Sequence, residues 1–264
     1  MTLHSLNNPA QQSSHRFRPS STVLAWLGLV GYLILAKFVL TLLPPINVKV
    51  IASEFSWSTI GIVAGMGLIG ALLAEPTGFM PAFDSRVTNR RRFLLPLLAG
   101  IGIGVLAVLI DIVTQGTKFI ETQAGEASFN VYFPASLLVY TAGTVSVEAL
   151  YRLLPFPLLF GLIAYVILRR RADSKVFTVL AVVLALFEPL TQGLGILFMK
   201  PTENPWIPFL TLFLPYFITS YPMNLIQAFL FRRRGLLASF SMRIGYYLVW
   251  HILYGSLIYP RWFA

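Results

Sequence analysis

The chain has 264 residues, 56% of them hydrophobic and 11% charged, with a formal net charge of +10. Soluble domains carry about 25% charged residues, so this composition, with a mean hydropathy of +0.74, excludes a soluble globular fold. The positive charge lies in short clusters within connections, which argues against nucleic-acid binding and for topology determinants facing an anionic leaflet; the absence of cysteine excludes disulfides and thiolate metal sites.

Apolar stretches fill the chain and predict an all-α polytopic membrane bundle of about seven or eight transmembrane helices, a single domain over residues 21–264. Residues 1–20 are polar, lack an apolar core and are expected to be a disordered tail, with no cleavable signal peptide. The first span is predicted over Thr22–Leu43, stopped by Pro44-Pro45. The second covers Trp57–Ala74, where Gly61, Gly65, Gly67 and Gly70 suggest an interior packing face. A loop with Arg90-Arg91-Arg92 leads to a third span, Phe93–Val113, which carries Asp111 near its end and is followed by a polar connection over 115–131.

Residues 134–168 are too many for one upright helix, since about 35 residues at 1.5 Å each run to roughly 50 Å against roughly 30 Å of hydrocarbon. Pro155 and Pro157 allow either two helices or one long kinked one. The charge clusters decide. Arg86 and Arg90–Arg92, Arg169–Arg171 and Arg232–Arg234 share the cytoplasmic side only if residues 134–168 make one net crossing, so a kinked helix is expected. Spans over Val176–Met199, Trp206–Phe231 and Leu236–Tyr259 complete seven net crossings, with Arg16 and Arg18 placing the N-terminus in the cytoplasm.

Ionisable residues inside such spans cost at least about 2.5 kcal/mol each at a bilayer centre and mark candidate functional sites. Glu148 and Arg152 are four apart and share a helix face, either as a structural ion pair or with Glu148 as a base oriented by Arg152. Glu188 lies mid-span beside Pro189, with Gln192 one turn later, as a cavity-wall carboxylate or a neutral buried one. In the last span Tyr247, His251 and Gly255 fall on one stripe, and Gly255 opens space beyond the imidazole.

Val147-Glu148-Ala149-Leu150-Tyr151-Arg152, the Glu188 stretch and the run from Phe231-Arg232-Arg233-Arg234-Gly235 to His251 resemble, in order, the motifs of the CPBP (CAAX protease and bacteriocin-processing) intramembrane proteases, over residues 135–256. That family's pattern is Glu-Glu-x-x-x-Arg, then Phe-x-x-x-His, then His-x-x-x-Asn or Asp. Glu148 and Arg152 match the second glutamate and the arginine; Val147 stands at the first glutamate, Glu188 at the second motif's histidine, His251 at the third's, and Gly255 at its Asn/Asp partner.

The resemblance implies an endopeptidase of the bacterial plasma membrane acting on a membrane peptide or protein among lipids. Glu148, Arg152, Glu188 and His251 are then its catalytic set, and zinc is a possible cofactor on Glu188 and His251. Val147 and Gly255 depart from the pattern and open a second reading, a catalytically silent relative serving as a binding or regulatory module. A third reading is a transporter or channel component with Asp111, Glu188 and His251 along an ion path; the lack of an internal repeat weighs against it.

Overall fold

The computed structural model describes residues 20–43, 53–124, 130–197 and 206–262. Seven helical runs among them are long and apolar enough to cross a membrane, so the chain is an all-α, multi-pass membrane bundle. Lipid offers no partner for backbone polar groups, and only closed helical ladders satisfy them there. We number the helices α1 (Ser21–Leu40), α2 (Trp57–Ala74), α3 (Arg90–Thr114), α4 (Gly116–Ala124), α5 (Ala135–Ile167), α6 (Asp173–Ala185), α7 (Phe187–Leu197), α8 (Trp206–Arg234) and α9 (Leu236–Trp262). The expected tail lies outside the described residues apart from Ser20, which caps α1 by accepting from the Val23 amide at 3.4 Å. Ser56 caps α2 in the same way, accepting from Thr59 N at 3.2 Å.

Two expectations for the middle of the chain differ in outcome. Region 134–168 is a single run, α5, as the charge argument requires. Near Pro155 its ladder widens, and Leu154 N–H reaches Ala149 O five residues back. The fifth span, in contrast, is broken at Leu186 into α6 and α7, because Pro189 has no N–H to continue the ladder. The polar connection after the third span is also not all loop; it contains α4.

Small residues set the helix contacts, though not all the expected ones. On α2, Gly67 and Gly70 are buried: a Cβ at Gly67 would lie 2.0 Å from the Trp26 ring, and one at Gly70 would lie 2.0 Å from Leu153 O. Gly61 and Gly65 face outward with nothing within 4 Å, which corrects the four-glycine packing face. The closest crossing is α3 against α9. Cβ atoms built at Gly100 and Gly245 would meet Met242 O at 1.9 Å and Leu97 O at 2.2 Å, so the two backbones touch.

The three basic clusters meet at one end of the bundle. Arg232 donates to Thr77 O at 2.7 Å and lies over the rings of Phe79 and Phe160 at 4.8 and 4.4 Å, and Arg234 reaches Arg91 O at 3.4 Å. Arg170 covers Tyr165 at 4.2 Å beside them. The start of α1 is tied to the same end, since Glu75 accepts from Thr22 N and Thr22 Oγ1, each at 2.9 Å.

Burial works to raise the pKa of Glu75, but hydrogen bonds from Ser20, Thr22 and Ser21 outweigh it and hold the carboxyl below the ordinary value of 4.5. A depressed folded-state pKa means the unfolded chain takes up the proton first, so the tie is complete above 4.5 and is lost as pH falls through the lowered value. Hydrogen exchange at the Thr22 amide is therefore expected to be slow at neutral pH and to lose protection in acid. A Glu75→Gln variant should be insensitive to that pH change.

Candidate functional site

Four helices, α5, α7, α8 and α9, deliver polar side chains to one buried network. Glu148 and Arg152 lie one turn apart on α5, and Arg152 Nε donates to Glu148 Oε2 at 2.9 Å, as their spacing predicts. Glu148 Oε2 also accepts from Ser239 Oγ of α9 at 2.9 Å, and its Oε1 accepts from Gln227 Nε2 of α8 at 3.1 Å. Glu188, at the start of α7, is held by Arg243 of α9 through two parallel bonds, Nη1 to Oε1 and Nη2 to Oε2, each 2.6 Å. This is the fork-on-fork geometry that a planar guanidinium offers a carboxylate. Asn224 of α8 joins the halves, its Oδ1 accepting from Arg152 Nη1 at 2.7 Å and from Arg243 Nη2 at 2.8 Å. Arg152 Nη2 comes within 3.9 Å of Glu188 Oε2.

All five charged or bridging residues (Glu148, Arg152, Glu188, Asn224 and Arg243) are at most 3% exposed, so bulk solvent does not reach these charges. Two carboxylates face two guanidiniums, and the network is neutral as a whole. Such closure is what makes charges tolerable in a low-dielectric interior, where an unpaired one is costly.

His251 does not join this network. Its ring stacks on Tyr140 with centroids 4.2 Å apart, and its Nδ1 lies 3.3 Å from Asn130 Oδ1. Asn130 also occupies the space left by Gly255, where a Cβ would come within 2.5 Å of the asparagine side chain. The amide that the resemblance expects four residues after the histidine is thus delivered from residue 130 instead. On α9 the side chain that reaches Glu188 is Arg243, eight positions before His251.

Asp111 is held by two donors at the edge of the site. Its Oδ1 accepts from Thr117 N at 2.8 Å, capping α4, and its Oδ2 accepts from Tyr254 OH at 2.7 Å.

Two cavities flank the network. A chamber of about 150 Å³ is bounded by Asp111, Glu188, Arg243, Tyr246 and Trp250. A slot of about 470 Å³ between α1, α2 and α5 is bounded by Leu33, Phe55, Ile62, Val139, Gly143 and Val147. Gln192, Tyr247 and His251 line both, so the two spaces adjoin at these side chains. Glu188 and His251 therefore face a common space, although they make no bond to each other.

The residues around Glu188 do not fit the expected zinc ion. Both carboxylate oxygens accept from a guanidinium, which would have to be displaced, and catalytic zinc commonly takes three protein ligands. Among the described residues no three His, Cys, Asp or Glu side chains come together to hold a metal.

Asn224, Gln227 and Ser239 were not singled out by the sequence, and Arg243 stood in the last-span stretch with His251 but was given no role. Arg243 carried a signal, a lone cation inside an apolar span; the three uncharged residues carried none. Comparison with protein-family models, with curated proteins and with solved structures returns no match.

Proposed function

We propose that this chain is a plasma-membrane protein that keeps the CPBP-like order of polar residues and uses the space around them to bind a ligand rather than to cut a peptide. The observation that supports this reading is the engagement of all four oxygens of Glu148 and Glu188 by donors, three of those bonds coming from arginine. A general base must accept a proton from water in a positioned hydrogen bond. Here every oxygen of both carboxylates already accepts from a protein donor, which lowers its basicity toward water, and Val147, at the place of the family's water-activating glutamate, turns an apolar side chain to the slot. The charge clusters orient the protein with the Arg232 end and the N-terminus in the cytoplasm.

A second reading is the intramembrane endopeptidase, with Glu148 or Glu188 activating water. Glu188 and His251 bordering one chamber favours it, as does the asparagine beside His251. The two readings part in proteoliposomes loaded with a library of membrane-tethered peptides. Binding alone predicts the same background of fragments by mass spectrometry from the wild type and from a Glu148→Gln, Glu188→Gln double variant. Fragments made by the wild type and absent from the variant would establish the peptidase instead.

A further inference from the structure

The chamber and the slot differ in character and adjoin at Gln192, Tyr247 and His251, which line both. The slot is lined mainly by apolar side chains, with Glu54, Thr59 and Ser146 among its polar ones, and its rim includes Ile62 and Leu150, 63% and 43% exposed, so it opens at the apolar surface of the bundle. The chamber is ringed by Tyr216, Tyr246, Tyr247 and Trp250 around the Glu188–Arg243 pair. Its volume is about 150 Å³, and an apolar cavity of about that size holds one benzene ring. The slot has about three times that space.

The hydrogen-bonding groups at the chamber are short of acceptors. Arg243 is 1% exposed, and its Nε has no hydrogen-bond partner among the described residues. Gln192 uses its carbonyl oxygen to accept from Tyr216 OH at 2.6 Å, and among the described residues nothing accepts from its amide N–H groups. A buried donor left without an acceptor is costly, so Arg243 Nε favours a ligand bearing a carbonyl oxygen, and the exposed Gln192 amide beside it offers a second donor to the same ligand. An anionic head is disfavoured. Arg243 and Arg152 are already matched by Glu188 and Glu148, and the remaining ionisable acid on the wall, Asp111, would repel it.

We infer that the site binds a membrane quinone, an uncharged ring-sized head with carbonyl acceptors in the chamber and a hydrocarbon tail in the slot. This rests on the binding reading above and adds the ligand class to it. A substitution at Gly143 tests the tail half without disturbing the fold, because a Cβ there meets nothing within 4 Å and the residue lines the slot. Gln192 is exposed where the two spaces adjoin, so Gln192→Leu removes the amide donors without emptying the core.

The probes are a benzoquinone with a ten-carbon tail and the same ring without a tail, titrated against the protein in nanodiscs with equal empty nanodiscs as the partition control. Saturable binding of the tailed probe is expected, weakened about tenfold by Gly143→Leu while the tailless ring is unaffected, and weakened for both probes by Gln192→Leu. Absence of saturation above empty nanodiscs, or binding indifferent to both substitutions, would overturn the inference. Either of those leaves the binding reading in place with another ligand, whereas fragments that depend on Glu148 and Glu188 remove the binding reading itself.

Discussion

Replacing Arg243 by Met is expected to destabilise the protein by about 3–5 kcal/mol, the scale for breaking a buried ion pair from one side. The substitution takes both bonds from Glu188 and one from Asn224. Glu188 keeps only Arg152 Nη2 at 3.9 Å, too far for a hydrogen bond. At 2% exposure the carboxylate cannot turn to water. Thermal unfolding in detergent, followed by circular dichroism or by tryptophan fluorescence, measures the loss. Glu188→Gln on its own should cost less, since the amide oxygen still accepts one bond from Arg243 and Arg243 keeps its bond to Asn224 Oδ1.

Replacing Gly245 by Val is expected to prevent α9 from seating against α3. A Cβ at that position lies 2.2 Å from Leu97 O, and the atom it meets is backbone, which cannot swing aside as a side chain would. Overpacking a fitted interface costs about 1–3 kcal/mol and more where the backbone must move. Because α9 carries both Ser239 and Arg243, the shift also pulls their bonds away from Glu148 and Glu188. Gly61→Val is the control. Gly61 faces outward with open space around it, and a change at such a position falls within about 0.5 kcal/mol. Yield of monodisperse protein in detergent separates the two: near wild type for Gly61→Val, sharply reduced for Gly245→Val.

The spans were legible because lipid imposes a length and a composition on every helix that crosses it, and the predicted bounds fall within a few residues of α1, α2, α3 and α9. The crossing number of α5 was legible only with the arginine clusters, since its length alone allows one helix or two. Within the site, Glu148–Arg152 could be read because a helix turns a four-residue spacing into a contact. Glu188 with Arg243 is 55 residues apart and Glu148 with Ser239 is 91, and no local rule joins them. His251 attracted notice as the histidine of a resembled motif, but the helix that carries it presents Arg243 to the carboxylates. Gly255 was read as opening space beyond the imidazole, and that space is filled. Its occupant, Asn130, comes from a segment 125 residues earlier, before α5, which no spacing argument could reach.

Glu188 and Arg243 are committed to each other through their paired bonds. A double-mutant cycle tests it, comparing the thermal stability of the wild type, Glu188→Gln, Arg243→Met and the double variant. Groups that share a buried network couple by about 0.5–3 kcal/mol. A coupling at the upper end of that range is predicted here, with the double variant more stable than Arg243→Met alone because no stranded anion remains. Additive effects, with Arg243→Met harmless, would mean that Glu188 is not bound to the arginine and is free to act on water, which contradicts the account.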